Sequence, residues 1–349
     1  MADRVKVAVL GATGLVGQVF VKLLSGHPFF EIAYLAASER SAGKRYVEAV
    51  NWVLGGDPPG EVADLTVGLV KPDAIPGDVE LVFSALPSSV ALDVEVGAAR
   101  RGFTVVSNAS PLRLEADVPL IIPEINWDHI RLLEVQRRRR GWRGAIVKNS
   151  NCTTAILTLS LKPLLDRFGL EEVFVSTMQA VSGAGYRGVP SVAIIDNIIP
   201  FIRNEEEKVM NESRKILGTL RGDHVEPAGF RIYATCTRAP VINGHMETVY
   251  ARLARSASIE DVLAAWEEFR GLEGLPTAPA KPVIVRREAD RPQTRLDRDA
   301  GGGMSVSVGR YTLYSERLLR YIVLGHNLVR GAAGNTILIA EMMYREGLL

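Results

Sequence analysis

Val5-Lys-Val-Ala-Val-Leu10 passes without a break into Gly11-Ala-Thr-Gly14-Leu-Val-Gly17, and the class of architecture follows from this junction. The apolar run is of the length and kind buried on both faces of a parallel sheet. The amphipathic stretch from Leu15 to about Leu24 predicts a helix. Between them stand glycines spaced Gly-x-x-Gly-x-x-Gly, and a strand before with a helix after is the context of a phosphate-binding turn. Glycine lets the backbone approach a pyrophosphate, and the helix N-terminus stabilises its negative charge. The spacing departs from the commoner G-x-G-x-x-G, so a turn that merely packs helix on strand is the plainer alternative.

The segments that follow keep the same alternation. Ile32–Ala37, Val79–Ala85 and Thr104–Ser107 are strand candidates, and Ala91–Arg101 has helical spacing. This predicts a Rossmann-like, doubly wound α/β domain over residues 1–150. The second strand ends near where an adenosine ribose would lie, at Ser38-Glu39-Arg40-Ser41-Ala-Gly-Lys44. Hydroxyls, an arginine and a lysine suit a 2′-phosphate, and arginine can bind one through two hydrogen bonds. NADP is therefore the expected cofactor, with NAD a weaker alternative because Glu39 could accept from a ribose hydroxyl.

Beyond residue 150 the pattern changes. Val173–Met178, Arg231–Cys236 and Glu247–Leu253 predict an α+β domain over residues 151–325 with a mixed, largely antiparallel sheet. Helices are expected over Pro190–Ile199, Asn204–Leu217 and Ile259–Phe269, and a long loop over Leu275–Gly303. Gly331–Leu348 predicts a helix that packs back on the first domain, so that residues 326–349 complete it.

The 349 residues allow two domains, each with its own core. Basic and acidic residues balance at 41 against 40, which gives no reason to expect nucleic acid or an anionic membrane as partner. The cluster Arg137–Arg140 reads as a solvated face. The two cysteines are too few for a disulfide framework, no apolar run reaches membrane-span length and no signal-peptide layout opens the chain. A cytoplasmic protein that needs no metal is the expectation.

One cysteine lies in Asn149-Ser-Asn-Cys152-Thr-Thr154, a polar turn feeding a predicted helix. The helix dipole and unpaired N–H groups favour a thiolate there, which is the nucleophilic form. The plainer alternative is a small apolar residue that starts a core helix. Three further groups accompany it. Gln179 ends a strand before a small-residue loop, Arg238 precedes His245 by seven residues, and Glu205-Glu-Glu-Lys208 opens a polar helix. A thiol, an imidazole and a carboxylate-fixing arginine make an acyl-transfer site. Taken singly, His245 could be an interior hydrogen-bonded residue and Glu205/Lys208 an exposed i,i+3 pair. Cys236 reads as core filling.

In order along nearly the whole chain run GATGLVG, SERSAGK, SNASPLR, VPLIIPEIN, SNCTT, QAVSGAG, DNIIP, EEEK, GHMETV, GMSVSVGR and HNLVRGAAGN. Together they resemble the aspartate-semialdehyde dehydrogenase family, in its archaeal and fungal branch. The resemblance implies NADPH-dependent reductive dephosphorylation of L-aspartyl 4-phosphate through a cysteine thioester, in the biosynthesis of lysine, methionine, threonine and isoleucine. It implies Cys152 as nucleophile supported by Asn151, His245 as acid/base catalyst and Gln179 orienting the acyl group. Arg238 would bind the substrate carboxylate, Glu205 would lie near its amino group, and Arg113 and Lys208 would hold phosphate. Gly11, Thr13, Gly14, Leu15, Val16, Gly17, Ser38, Arg40, Ser41, Ser84 and Leu86 would line the NADP site. Ser182, Gly183 and Asn327 would complete it near the nicotinamide. A homodimer or homotetramer is implied as well. Malonyl-CoA reductase, on the same scaffold, is the rival activity, favoured by His326 where many relatives carry an acidic residue before the asparagine. A non-catalytic NADP-binding redox sensor is the rival of another class, and the substrate-anchoring Arg238 argues against it.

Overall fold

The computed structural model describes residues 4–349. Its first sheet is wholly parallel: β1 (Val5–Leu10), β2 (Phe30–Ala37), β3 (Gly68–Leu69), β4 (Leu81–Ser84), β5 (Thr104–Ser107) and β6 (Ala145–Lys148) take the order β3-β2-β1-β4-β5-β6. That is the doubly wound order, with helices on both faces. One face is covered by the helix Leu15–Leu24 and by Ile337, Ile339 and Met343 of the C-terminal helix Gly334–Arg345. The other face packs Ala91, Val94 and Ala98 of the helix Ser88–Arg101. Strands this thoroughly buried read as near-continuous apolar runs, which is why β1, β4 and β5 are legible in the sequence.

The second sheet is mixed. The strands are β7 (Leu170–Gln179), β10 (Arg231–Arg238), β11 (His245–Leu253), β12 (Val283–Val285), β13 (Val306–Ser315) and β14 (Leu318–Gly325); a separate two-stranded hairpin of β8 (Thr219–Arg221) and β9 (His224–Glu226) lies between β7 and β10 in the chain. Their order is β10-β7-β11-β14-β13-β12, antiparallel at the three central pairings and parallel at the two outer ones. The buried side holds the helix Cys152–Phe168, whose Ala155, Ile156, Leu159 and Leu164 join Val175, Val249 and Val323 in one core. Pro163 within this helix and Trp266, whose indole donates to the Ser160 carbonyl at 2.9 Å, share that side.

Two expectations fail locally. Pro190–Ile199 holds only the turn Ser191–Ile194, because Asp196 has a left-handed backbone (φ 59°) and Ile199 instead exchanges two hydrogen bonds with the backbone of Arg238. Within the expected loop 275–303, Val283–Val285 forms an edge strand beside β13 and Thr294–Asp297 a helical turn. The arginine cluster is partly engaged, with Arg139 paired to Asp223 and Arg140 to Asp117. Among the described residues no helix is long and apolar enough to cross a membrane.

Candidate active site

The second sheet brings distant residues to one edge. β7 and β10 run parallel and end in register at Gln179 and Arg238. β11 is antiparallel to β7, so it begins at that same edge, with His245. Three side chains 59 and 7 positions apart in sequence thereby converge without any loop having to carry them.

The nucleophile helix delivers the fourth. Asn151 is its N-cap, and its Oδ1 accepts from the backbone N–H of Thr153 (3.0 Å) and Thr154 (3.1 Å). Two carboxylates fix Asn151 from the helix Glu205–Ile216: Glu205 accepts from Nδ2 (2.9 Å) and Glu212 from the backbone N–H (2.6 Å). Cys152 Sγ then stands 3.1 Å from His245 Nε2. A Cβ on Gly331 would lie 2.5 Å from Cys152 Cβ, so only glycine permits the C-terminal segment to pass behind the sulfur.

The backbone N–H of Ala180 donates to His245 Nδ1 at 3.0 Å. A neutral imidazole whose Nδ1 is an acceptor carries its proton on Nε2, so the ring offers Cys152 an N–H donor rather than a lone pair. Burial, then the nearby Arg238 and His326, push the imidazole down to about 3. Held in this way, His245 is a neutral donor toward Cys152 in this geometry. The thiol departs from expectation. Burial and the Glu205 charge push it up to about 12, against the lowering effects of Arg238, the Thr153 N–H and Arg113. The helix N-terminus is present, but enclosure outweighs it, and the resting group is S–H with an accessible edge toward the cleft.

A cleft of about 590 Å³ joins Cys152, Gln179, Glu205, Lys208, Arg238 and Arg113 to Leu15, Val16, Ser182, Gly183 and Asn327. Arg238 Nη1 donates to the Ala180 carbonyl (2.7 Å), while Gln179 is held only by a 3.3 Å contact to Thr177 Oγ1. Arg113 donates through Nη1 to Glu212 (3.0 Å) and through Nη2 to the Asn108 carbonyl (2.6 Å). Asn327 donates to Ser182 Oγ (2.9 Å) and accepts from the Gly244 N–H (2.8 Å), tying the two loops together.

A second cleft, of about 600 Å³, is lined by Gly11, Thr13, Gly14, Ser38, Arg40 and Leu86, and also by Lys71, which sequence reasoning passed over. Gly11 has φ 83°, and a Cβ there would lie 2.8 Å from the Ala85 carbonyl oxygen, so the turn is open to a ligand only because it is glycine. Arg40 and Lys71 line this cleft together with Glu39, and the two basic side chains suit a 2′-phosphate. Three of the expected cofactor residues lie elsewhere. Gly17 is a packing glycine, since its Cβ would strike the Gly11 carbonyl at 2.1 Å; Ser84 turns inward and donates to Glu95 (2.7 Å); Ser41 lines neither cleft. Cys236 is fully buried in the core of the second domain.

Residues 6–133 match the family model described as semialdehyde dehydrogenase, NAD binding domain, and residues 161–330 the one described as semialdehyde dehydrogenase, dimerisation domain. An aspartate-semialdehyde dehydrogenase of Archaeoglobus fulgidus is 53% identical over 346 residues, covering 99% of this chain and 100% of its own. A malonyl CoA reductase (NADP) of Metallosphaera sedula is 40% identical over 354 residues, covering 99% of each. Among solved structures, aspartate semialdehyde dehydrogenase with NADP from Candida albicans is similar at a TM-score of 0.91 and 40% identity, over 99% of this chain and 100% of that one.

Proposed function

We propose that this chain, which belongs to the semialdehyde dehydrogenase family, uses NADPH to convert L-aspartyl 4-phosphate to L-aspartate 4-semialdehyde and phosphate. The observation that carries the reading is the 3.1 Å approach of Cys152 Sγ to His245 Nε2 on the floor of a cleft that also holds Arg238 and Arg113.

The residues divide the work by charge. Arg238 offers the substrate carboxylate a planar fork, and Glu205 stands where an α-ammonium would be neutralised. Gln179, with its amide nearly free, orients the acyl oxygen. Lys208 and Arg113 face the phosphate end. Cys152 attacks the acyl carbon, the carbon–oxygen bond to phosphate breaks, and a thioester forms. The S–H proton leaves with the phosphate, so the products of this step are the thioester and hydrogen phosphate, and His245 need not take it up. His245 keeps its proton at Nε2 and donates it as a hydrogen bond, first to the developing thiolate and then to the acyl oxygen. NADPH, when bound in the glycine-turn cleft, supplies the hydride that reduces the thioester carbonyl. Cys152 is then released as thiolate and regains a proton from solvent, which is the one proton the overall reaction consumes. Covalent capture divides a difficult displacement into easier steps.

A homodimer or homotetramer is the assembly we propose, supported by the match of residues 161–330 to a dimerisation domain. The setting we propose is cytoplasmic amino-acid biosynthesis. Purified protein given aspartate semialdehyde and NADP should form NADPH only when phosphate or arsenate is added. Cys152→Ala should lower this rate at least about a thousandfold while still binding NADP. Turnover of malonyl-CoA with NADPH faster than of aspartyl phosphate would overturn the substrate assignment.

A further inference from the structure

Arg113 reaches the cleft from the first domain, on the loop that follows β5, whereas Lys208 reaches it from the helix Glu205–Ile216 of the second. If both are to hold one phosphate, the position of that loop has to be fixed from outside. Within the loop the backbone bonds are 3.1–3.3 Å long: Arg113 N–H to the Ser110 carbonyl (3.3 Å), Glu115 to Leu112 (3.1 Å) and Val118 to Glu115 (3.2 Å). Leu112, immediately before Arg113, has φ 69°, a left-handed conformation that a non-glycine residue keeps only where its surroundings impose it.

Arg140 holds the far end of the loop through Asp117, and the stretch that carries Arg113 is held by one further side chain. Lys215 Nζ donates to the backbone carbonyls of Arg113 (2.8 Å), Glu115 (2.7 Å) and Val118 (2.8 Å). An ammonium has three donors, and here all three are committed to the same loop. Lys215 is buried, and its stem lies on the face of its helix that also carries Glu205 and Glu212, ten and three residues earlier. Glu212 accepts from both Arg113 Nη1 and the Asn151 N–H, so the guanidinium and the turn that presents Cys152 share one carboxylate. Arg113 Nε is buried without a partner, which leaves the guanidinium a donor uncommitted to the protein.

We propose that Lys215 is a positioning residue for the phosphate subsite, acting through the Arg113 loop and not by touching substrate. The proposal rests on the phosphate-dependent reading of the site given above. Its content is that loss of the Lys215 ammonium is felt by phosphate and not by the other substrates, because the NADP turn and the Arg238 pocket lie on other segments.

The test is steady-state kinetics in the direction of aldehyde oxidation, varying phosphate, aspartate semialdehyde and NADP in turn. Lys215→Met should raise the KM for phosphate tenfold or more and leave the KM values for NADP and aldehyde within twofold. Lys215→Arg, which keeps the charge and can still reach carbonyl oxygens, should recover part of the loss. A folded Lys215→Met with unchanged phosphate KM, or with all KM values raised together, overturns the proposal. Should the methionine variant fail to fold, Lys215→Gln, which retains two donors, carries the same test: a selective rise of threefold or more supports the role, and an even response overturns it. A wild-type enzyme indifferent to phosphate sinks the reading itself and this proposal with it. A phosphate-dependent wild type with an indifferent Lys215 variant sinks the proposal alone.

Discussion

Cys152 stands under opposed influences, and their balance decides how the site rests. The Thr153 N–H, Arg238 and Arg113 favour the thiolate, while burial and the Glu205 carboxylate favour the thiol, and burial dominates, pushing the group up to about 12. His245, pushed down to about 3 mainly by burial, offers no positive charge to reverse this. The free site is thus neutral at both groups, and substrate brings the acceptor for the thiol proton with it. This has a consequence in pH. The thiolate fraction rises tenfold per unit as long as the pH lies below the thiol's own value. Alkylation of the free enzyme by iodoacetamide, corrected by a Cys152→Ala control for Cys236, should therefore climb steadily from pH 7 to 9 with a logarithmic slope near one. A rate that levels off by pH 8 would mean a resting thiolate and would make His245 its charged partner.

The helix Cys152–Phe168 shows how an element sets that residue in place. Its N-cap is doubly used: Asn151 Oδ1 satisfies two orphan N–H groups of the first turn, and Nδ2 is held by Glu205. Replacing such a cap costs about 1 kcal/mol. Asn151→Ala should lower the stability measured by urea unfolding by roughly that amount and reduce turnover more than it reduces NADP binding. Full turnover in the variant would show that the cap does not aim the sulfur. The polar turn that opens this helix is local, and so are the buried strand before Gly11, the helix at Glu205 and the strand end at Gln179; all of these are legible from the chain, whereas the strand expected to stop at Cys236 runs on to Arg238. What is not legible depends on partners far away in sequence. Glu212 and Lys215 look like ordinary charges on a polar helix until Arg113 and its loop, about 100 residues earlier, are folded against them. Gly331 looks like one glycine of a small-residue run until Cys152 is found against it. The tautomer of the imidazole is likewise not legible from its type alone, because it is set by the N–H of Ala180, the residue that follows β7. β13 and β14 escape notice for a different reason: Val306-Ser-Val-Gly309 alternates weakly and is followed by a polar hairpin, and Arg310 there has φ 54°, which breaks the ladder between Gly309 and Thr312.

At the scale of the molecule, the two faces of the second sheet differ in a way one chain does not explain. One face is sealed by the nucleophile helix. On the other, Tyr233, Phe174 and Tyr250 lie directly opposite one another across β10, β7 and β11, with 44%, 46% and 38% of their surfaces exposed. Phe174 stacks on Tyr233 with ring centroids 4.9 Å apart, and Tyr250 stacks on Tyr314 at 6.3 Å. An aromatic row of this kind, rimmed by Arg231, Arg252 and Arg320, has the composition of an association surface, where aromatics and arginine are enriched. The match of residues 161–330 to a dimerisation domain points to the same sheet. A charge placed on each of two neighbouring strands would meet its own copy across a two-fold interface and would have to be desolvated there. Phe174→Asp combined with Tyr250→Asp should therefore reduce the mass seen by sedimentation velocity at micromolar concentration from a multiple of the chain to that of one chain. Since the same strands carry Gln179, Arg238 and His245 at their ends, turnover should fall along with assembly, while NADP binding, built on the other sheet, should persist. A double variant that sediments with the wild-type mass would move the interface to some other surface of the molecule.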